Sequence, residues 1–162
     1  KRAGDDVTII TYGRQVADAL KAAETLAEDG VSAEVIDLRT VAPLDMATVL
    51  TSVARTNRAL VVHEAVRTCG PGAEIATRIH EELHGQLKGP VRRLTAPDSP
   101  VPAAPGLVGV FYPNAAGIVA ATIIHPWNEE IVAEDGVIGA PDWRGLKQAL
   151  DPVLDRLDSE PA

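Results

Sequence analysis

The sequence predicts an α/β fold in which a sheet with several parallel strands carries helices on both faces. Three observations lead there. Short β-branched runs alternate with stretches whose apolar residues recur at helical spacing, glycine or proline punctuates most transitions, and no segment repeats another. A chain of 162 residues is short for two independent cores. One core of that size buries about 70% of its unfolded surface. The expected organisation is one domain over residues 1–124 and an extension over 125–162.

The elements follow in order. Val7 to Tyr12 reads as a strand closed by Gly13, and Val16, Ala19, Leu20, Ala23, Leu26 and Ala27 mark a helix that Gly30 stops. Val31 to Leu38 alternates as a second strand. Pro43 interrupts the chain before Asp45, which is placed to cap a helix running to Arg55 or thereabouts. Ala59 to Val62 forms a brief buried strand ending at His63-Glu64. A loop with Gly70 and Pro71 leads to Gly72 and a helix whose apolar stripe is Ile75, Ala76, Ile79, Leu83 and Leu87. Val91 to Thr95 is the fourth strand, and the proline-rich run from Ala96 to Gly106 forbids regular structure. Ile118, Val119 and Thr122 to Ile124 suggest a closing helix that ends before His125-Pro126. In the acidic extension, Asp142 caps a stretch with Trp143, Leu146, Leu150, Val153, Leu154 and Leu157 on one stripe. Pro152 kinks it or starts a new helix after Asp151, and the stretch reads as a docking helix.

Composition narrows the function classes. The formal charge is -8, and the basic residues form no run longer than Arg92-Arg93, so phosphate backbones and anionic lipids are repelled overall. Neither nucleic acid nor membrane is expected as a partner. Cys69 is the only cysteine, which excludes an internal disulfide and fits a reducing compartment. No apolar run is long enough for a membrane helix, and Lys1-Arg2-Ala3-Gly4-Asp5-Asp6 leads straight into a strand rather than a signal-peptide core, so cytoplasm is the expected location. The start at Lys1, without methionine, reads as that of an excised or processed fragment.

Two motifs carry possible chemistry. His80-Glu81-Glu82-Leu83-His84 satisfies the zinc-hydrolase pattern of two histidines one helical turn apart with a glutamate as base. A third ligand is required, yet Leu87 stands where the extended pattern wants glycine, and Asn128-Glu129-Glu130 lies outside the expected helices. The two histidines sit roughly 100° from the Ile75, Ile79, Leu83, Leu87 row, so the competing reading is the solvated flank of an amphipathic helix. The second constellation runs from Val61 to Ile75. A strand end there delivers His63, Glu64 and Arg67 into a glycine-containing turn before a helix start, the place where open α/β sheets bind ligands. An anion held at that helix start is one reading. The other is that Gly70 and Gly72 permit a tight turn while Glu64 pairs with Arg67. Cys69 is given no role. The phosphate-binding glycine motifs of dinucleotide and nucleotide-triphosphate proteins are absent, as is the G-x-S-x-G elbow.

Taken together, Asp6 to Gly13, Val35 to Asp45, Val62-His63-Glu64 and Thr68 to Ile75 resemble, in order and spacing, the C-terminal domain of the transketolase superfamily. They are most similar to the beta subunit of pyruvate and branched-chain 2-oxo acid dehydrogenases, and Asp98-Ser99-Pro100-Val101-Pro102 matches that family's proline-rich loop. The resemblance spans residues 5 to 124. It departs from the family at Cys69, which replaces the first glycine of a pair, and at Leu107-Val108, where the family has Leu-Glu. Residues 125–162 exceed the usual ending.

The resemblance implies a three-layer α/β/α domain with a five-stranded mixed, mostly parallel sheet whose first strand is antiparallel to the rest. It implies the assembly domain of a thiamine-diphosphate-dependent 2-oxo acid dehydrogenase, an enzyme that decarboxylates its substrate and passes the acyl group to lipoyl. The chain alone is then expected to be non-catalytic, with no cofactor or metal ligands of its own; thiamine diphosphate and magnesium belong to other domains of the parent. The implied partners are those remaining domains or an alpha subunit, a second beta subunit, and the lipoyl acyltransferase core. His63 and Glu64 match the family's His-Glu pair and, with Arg67 and Asp98, are the candidates for facing cleft or partner. The alternatives are a free-standing binding module of the same fold, and a zinc hydrolase using His80, Glu81 and His84.

Overall fold

The computed structural model describes residues 1–100 and 112–123. Their elements are β1 (Val7–Thr11), α1 (Gln15–Glu28), β2 (Ala33–Asp37), α2 (Met46–Thr56), β3 (Ala59–Val66), α3 (Pro71–Leu83), β4 (Arg92–Ala96) and α4 (Ala115–Ile123). The expected helix of the acidic extension, the loop from Val101 to Gly106, the Leu107-Val108 departure and the stop at His125-Pro126 lie outside the described residues.

The strands pair in the order β2-β1-β3-β4, each parallel to its neighbour. A sheet covered on both faces needs apolar residues on successive positions, and all five residues of β1 are buried. Val7, Ile9, Ala33, Val35, Leu60 and Val62 point to the layer of α1 and α4. Ile10, Ile36, Ala59 and Val61 point to the layer of α2 and α3. The expected three layers are therefore present. Their arrangement follows from connection handedness: the path from β1 to β2 runs one way along the sheet and the steps to β3 and β4 run the other, so right-handed crossovers place α1 opposite α2 and α3.

Two expectations are corrected. Among the described residues the sheet has four strands where five were expected, and Val7–Thr11 is parallel to both neighbours rather than reversed. The reversal sits earlier, at Arg2, which forms an isolated antiparallel bridge with Val35 on the outer side of β2. The Arg2 amide donates to the Val35 carbonyl at 3.3 Å and the Val35 amide to the Arg2 carbonyl at 3.0 Å. Gly4 allows this close approach, since a Cβ there would lie 2.3 Å from the Ala33 carbonyl carbon. A single bridge has no side-chain alternation, which is why periodicity could not reveal it.

Helix ends follow the sequence signals closely. Gly30, at φ 80°, ends α1, and the Val31 amide returns to the Leu26 carbonyl at 2.8 Å. Asp45 caps α2 by accepting the Thr48 amide at 3.1 Å. The buried stripe of α1 is turned from the expected one: Gln15, Ala19, Ala22, Ala23 and Leu26 are buried, whereas Val16 and Leu20 are half-buried and Ala27 is exposed. Leu60 is fully enclosed at the centre of the sheet. Leu60→Ala is expected to cost about 2–5 kcal/mol of stability through lost burial and a residual cavity, read from the shift of the denaturant midpoint.

Candidate functional site at the carboxyl edge of the sheet

Parallel pairing gathers the carboxyl ends of all four strands on one edge. The path reverses between β1 and β3, so the residues after Thr11 and after Val62 flank the point where open α/β sheets form a crevice. A register irregularity between His63 and Val66 interrupts the β3–β4 pairing there, and strand alternation sets His63 and Glu64 on opposite faces.

His63 faces the α3 layer and is completely buried. Its Nε2 accepts the Gly72 amide at 3.1 Å. Gly70, at the cap position of α3, offers no side chain to the helix, so the imidazole supplies the acceptor that a serine or aspartate normally brings. Acceptance at Nε2 assigns the proton of the neutral ring to Nδ1, which is buried without a hydrogen bond of good geometry. The ring stacks on Tyr12, with centroids 6.0 Å apart and planes 18° from parallel. Burial holds the His63 pKa below its ordinary value; the backbone of Ala65 opposes that shift and Arg93 reinforces it.

This geometry decides between the two readings of the glycines. Gly70, at φ -72°, and Gly72, inside the helix, need no left-handed backbone. They are required because α3 begins in contact with the ring: a Cβ on Gly72 would lie 2.3 Å from His63 Nε2, and one on Gly70 would lie 2.3 Å from the Val66 carbonyl oxygen. An anion at the helix start would compete with an imidazole already bonded there. The left-handed residue of this turn is Cys69, at φ 57°, which accounts for the glycine the resemblance places at that position.

Glu64 is half-exposed and pairs with Arg14, Oε1 to Nε 3.6 Å, rather than with Arg67 as one of the two readings had it. Alternation along β3 carries its carboxylate to the α1 side. It adds to burial in raising the Tyr12 phenol pKa. For Asp18, burial is the first cause of a raised pKa and Glu64 a smaller one beside the opposing Arg14. Arg67 donates to the Arg93 carbonyl at 3.3 Å while Arg93 donates to the Arg67 carbonyl at 2.9 Å, clasping the end of β3 to β4. Asp98 accepts the Thr68 amide at 2.8 Å and its hydroxyl at 2.7 Å. Those two hydrogen bonds, backbone first, hold the Asp98 carboxyl below its ordinary pKa. The loop after β4 is thus tied to the loop before α3.

Of the four candidates, Glu64, Arg67 and Asp98 reach the surface of this edge, on two sides of it. His63 does not: with zero exposure it is enclosed beneath them, on the α3 side of the sheet. Sequence reasoning passed over Tyr12, Arg14, Thr68, Arg93 and Gln15. The last had a signal, since Gln15 precedes Ala19 by one helical turn and so shares its buried stripe; both its amide atoms, like the Thr11 hydroxyl, are buried without a partner.

The histidines of the zinc pattern separate in role. His80 is half-buried and its Nε2 accepts the Val91 amide at 3.2 Å, fixing the approach to β4, whereas His84 is exposed at the end of α3. Among the described residues, no three His, Cys, Asp or Glu side chains converge as metal ligands.

Comparison with known proteins gives a consistent placement. Residues 1–118 match the family described as transketolase, C-terminal domain. Over 120 residues the chain is 46% identical to the acetoin:2,6-dichlorophenolindophenol oxidoreductase subunit beta of Cupriavidus necator, covering 74% of this chain and 36% of that protein. It is 46% identical over 114 residues to the pyruvate dehydrogenase E1 component subunit beta of Bacillus subtilis, covering 70% and 35%. It is 45% identical over 122 residues to the mitochondrial pyruvate dehydrogenase E1 component subunit beta-1 of Arabidopsis thaliana, covering 75% and 34%. The match thus spans little more than a third of these relatives. A solved split-gene transketolase, described as an inactive beta4 tetramer, superimposes with a TM-score of 0.63 at 28% identity, over 74% of this chain and 38% of that one.

Two substitutions test the edge. Gly72→Ala should destabilise the domain by roughly 1–3 kcal/mol, because either the ring or the helix start must move; chemical denaturation reads it. Cys69→Gly should instead raise stability by up to about 1 kcal/mol by relieving the left-handed backbone, seen as a higher melting temperature.

Proposed function

Because the chain belongs to the transketolase C-terminal domain family, we propose that it is the assembly domain of a thiamine-diphosphate-dependent 2-oxo acid dehydrogenase beta subunit, inactive by itself. The observation that carries this reading is the identity of 46% with beta subunits over a stretch that makes up 35–36% of their length. In the whole enzyme the reaction is oxidative decarboxylation of a 2-oxo acid with transfer of the acyl group to lipoyl. The identity to an acetoin oxidoreductase beta subunit favours acetoin as a second substrate reading. Cytoplasm is the location proposed, although one relative is named as mitochondrial.

The described residues do not fit the cofactor. A magnesium diphosphate requires clustered oxygen ligands and free amides. Here the start of α3 is taken by His63, and no metal-ligand cluster exists among the described residues. No chemical step is therefore assigned to this chain. Its contribution is a surface at the carboxyl edge, where Arg14, Glu64, Arg67 and Asp98 alternate in sign and Val66 is 37% exposed beside them. Mixed charge around an apolar spot suits docking against the remaining domains, an alpha subunit or a second beta subunit, with charge complementarity fixing orientation. The acyltransferase core is a further proposed partner.

Isothermal titration of the 162-residue chain with thiamine diphosphate and magnesium tests the reading. No saturable heat is expected at millimolar ligand, and stoichiometric tight binding would sink it. Mixed with a beta subunit lacking this domain and its alpha subunit, the chain should co-elute on size exclusion, and combined Glu64→Arg and Arg67→Glu should weaken that association at least about tenfold.

A further inference from the structure

We propose that His63 is a proton-operated cap on α3: the neutral ring holds the helix start against the sheet, and protonation of Nε2 releases Gly70 to Gly72 together with the loop that Thr68 joins to Asp98.

The argument begins with the direction of one hydrogen bond. Nε2 accepts the Gly72 amide, which is possible only while that nitrogen carries a lone pair. An imidazolium has donors at both nitrogens, so adding a proton sets two N–H groups against each other. The new charge also stands at the positive end of the α3 dipole, where a cation is disfavoured. The contact has no slack, since a hypothetical Gly72 Cβ would meet Nε2 at 2.3 Å and a Gly70 Cβ would meet Cε1 at 3.0 Å. A ring that must rehydrate to take its proton therefore has to displace the backbone lying on it.

The groups around the ring offer an imidazolium little. Tyr12, at the end of β1, stacks on one face with a phenol that burial and Glu64 keep neutral. Arg93 of β4 adds positive charge. Glu64, next along β3, is turned to the other face and paired with Arg14 at the start of α1. Arg67 in the following loop is bonded to the Arg93 carbonyl, Asp98 is engaged by Thr68, and Glu74 on the first turn of α3 is exposed to water. No carboxylate among the described residues hydrogen-bonds the ring.

The sign follows from linkage. A histidine whose folded pKa lies below its ordinary 6.5 binds fewer protons folded than unfolded. Its stabilisation is complete above that ordinary value and is lost as pH falls from there toward the lowered one. The opening is local because the Ile75, Ile79 and Leu83 anchors of α3 are buried independently of the ring.

Nitrogen-15 NMR of the 162-residue chain between roughly pH 7.5 and 5 provides the test. At the upper end His63 should be the Nδ1–H tautomer and the Gly72 amide should be protected from exchange. At the lower end the Gly72 amide should exchange at least about tenfold faster, after correction for the chemical pH dependence, while amides from Ile79 to Leu83 stay protected. His63→Gln places an amide oxygen near the position of Nε2, and in it the pH step should vanish with Gly72 still protected. An Nε2–H tautomer at neutral pH, constant Gly72 protection across the range, or the same step in the glutamine variant overturns the proposal. The wild-type measurements decide alone if that variant fails to fold.

Discussion

The contact between the His63 ring and the Gly72 amide ties the end of β3 to the beginning of α3, and the surrounding residues take their positions from it. It replaces a surface cap by a buried one, so the helix start is positioned by the sheet rather than by its own loop. The cost is steric: two glycines are needed in three residues, and the residue before them adopts a left-handed backbone. The return is a rigid corner at the strand edge where this architecture places its ligands and partners.

From that corner the surface divides. On the α1 side lie Arg14, Asp18 and Glu64, where Arg14 and Glu64 act in opposite senses on the Asp18 carboxyl; on the β4 side the Arg67 and Arg93 clasp and the Thr68 to Asp98 tie hold two loops together. The exposed ion pair contributes little to stability in water. Its charges matter more as an address, because mixed signs set orientation against a partner even where they add little energy.

Much of this was legible in the sequence because the deciding signals are local. Every strand and helix among the described residues is announced by β-branched runs, apolar spacing and caps such as Asp45 and Gly30, and the order of motifs from Val7 to Ile75 carried the family. What escaped was non-local. The antiparallel bridge at Arg2 has no periodicity to detect, and the Arg67 and Arg93 clasp joins residues 26 apart through backbone carbonyls that any sequence possesses. The partner of Glu64 was also non-local: proximity along the chain offers Arg67, whereas strand alternation selects Arg14. The burial of His63 was equally illegible: its position at a strand end suggested exposure, but the glycines after it bring the helix down over the ring.

The bridge between Arg2 and Val35 has one further effect. The margin of a sheet is a template on which another chain can add a strand, the usual beginning of edge-to-edge aggregation. Val35 has both its outward amide and its outward carbonyl taken by Arg2. Among the described residues β4 forms the opposite margin, and it opens with Arg92 and Arg93, consecutive cations that repel a like strand. One margin is thus blocked by backbone at Val35 and the other carries charge, two features that disfavour edge-to-edge growth of the sheet.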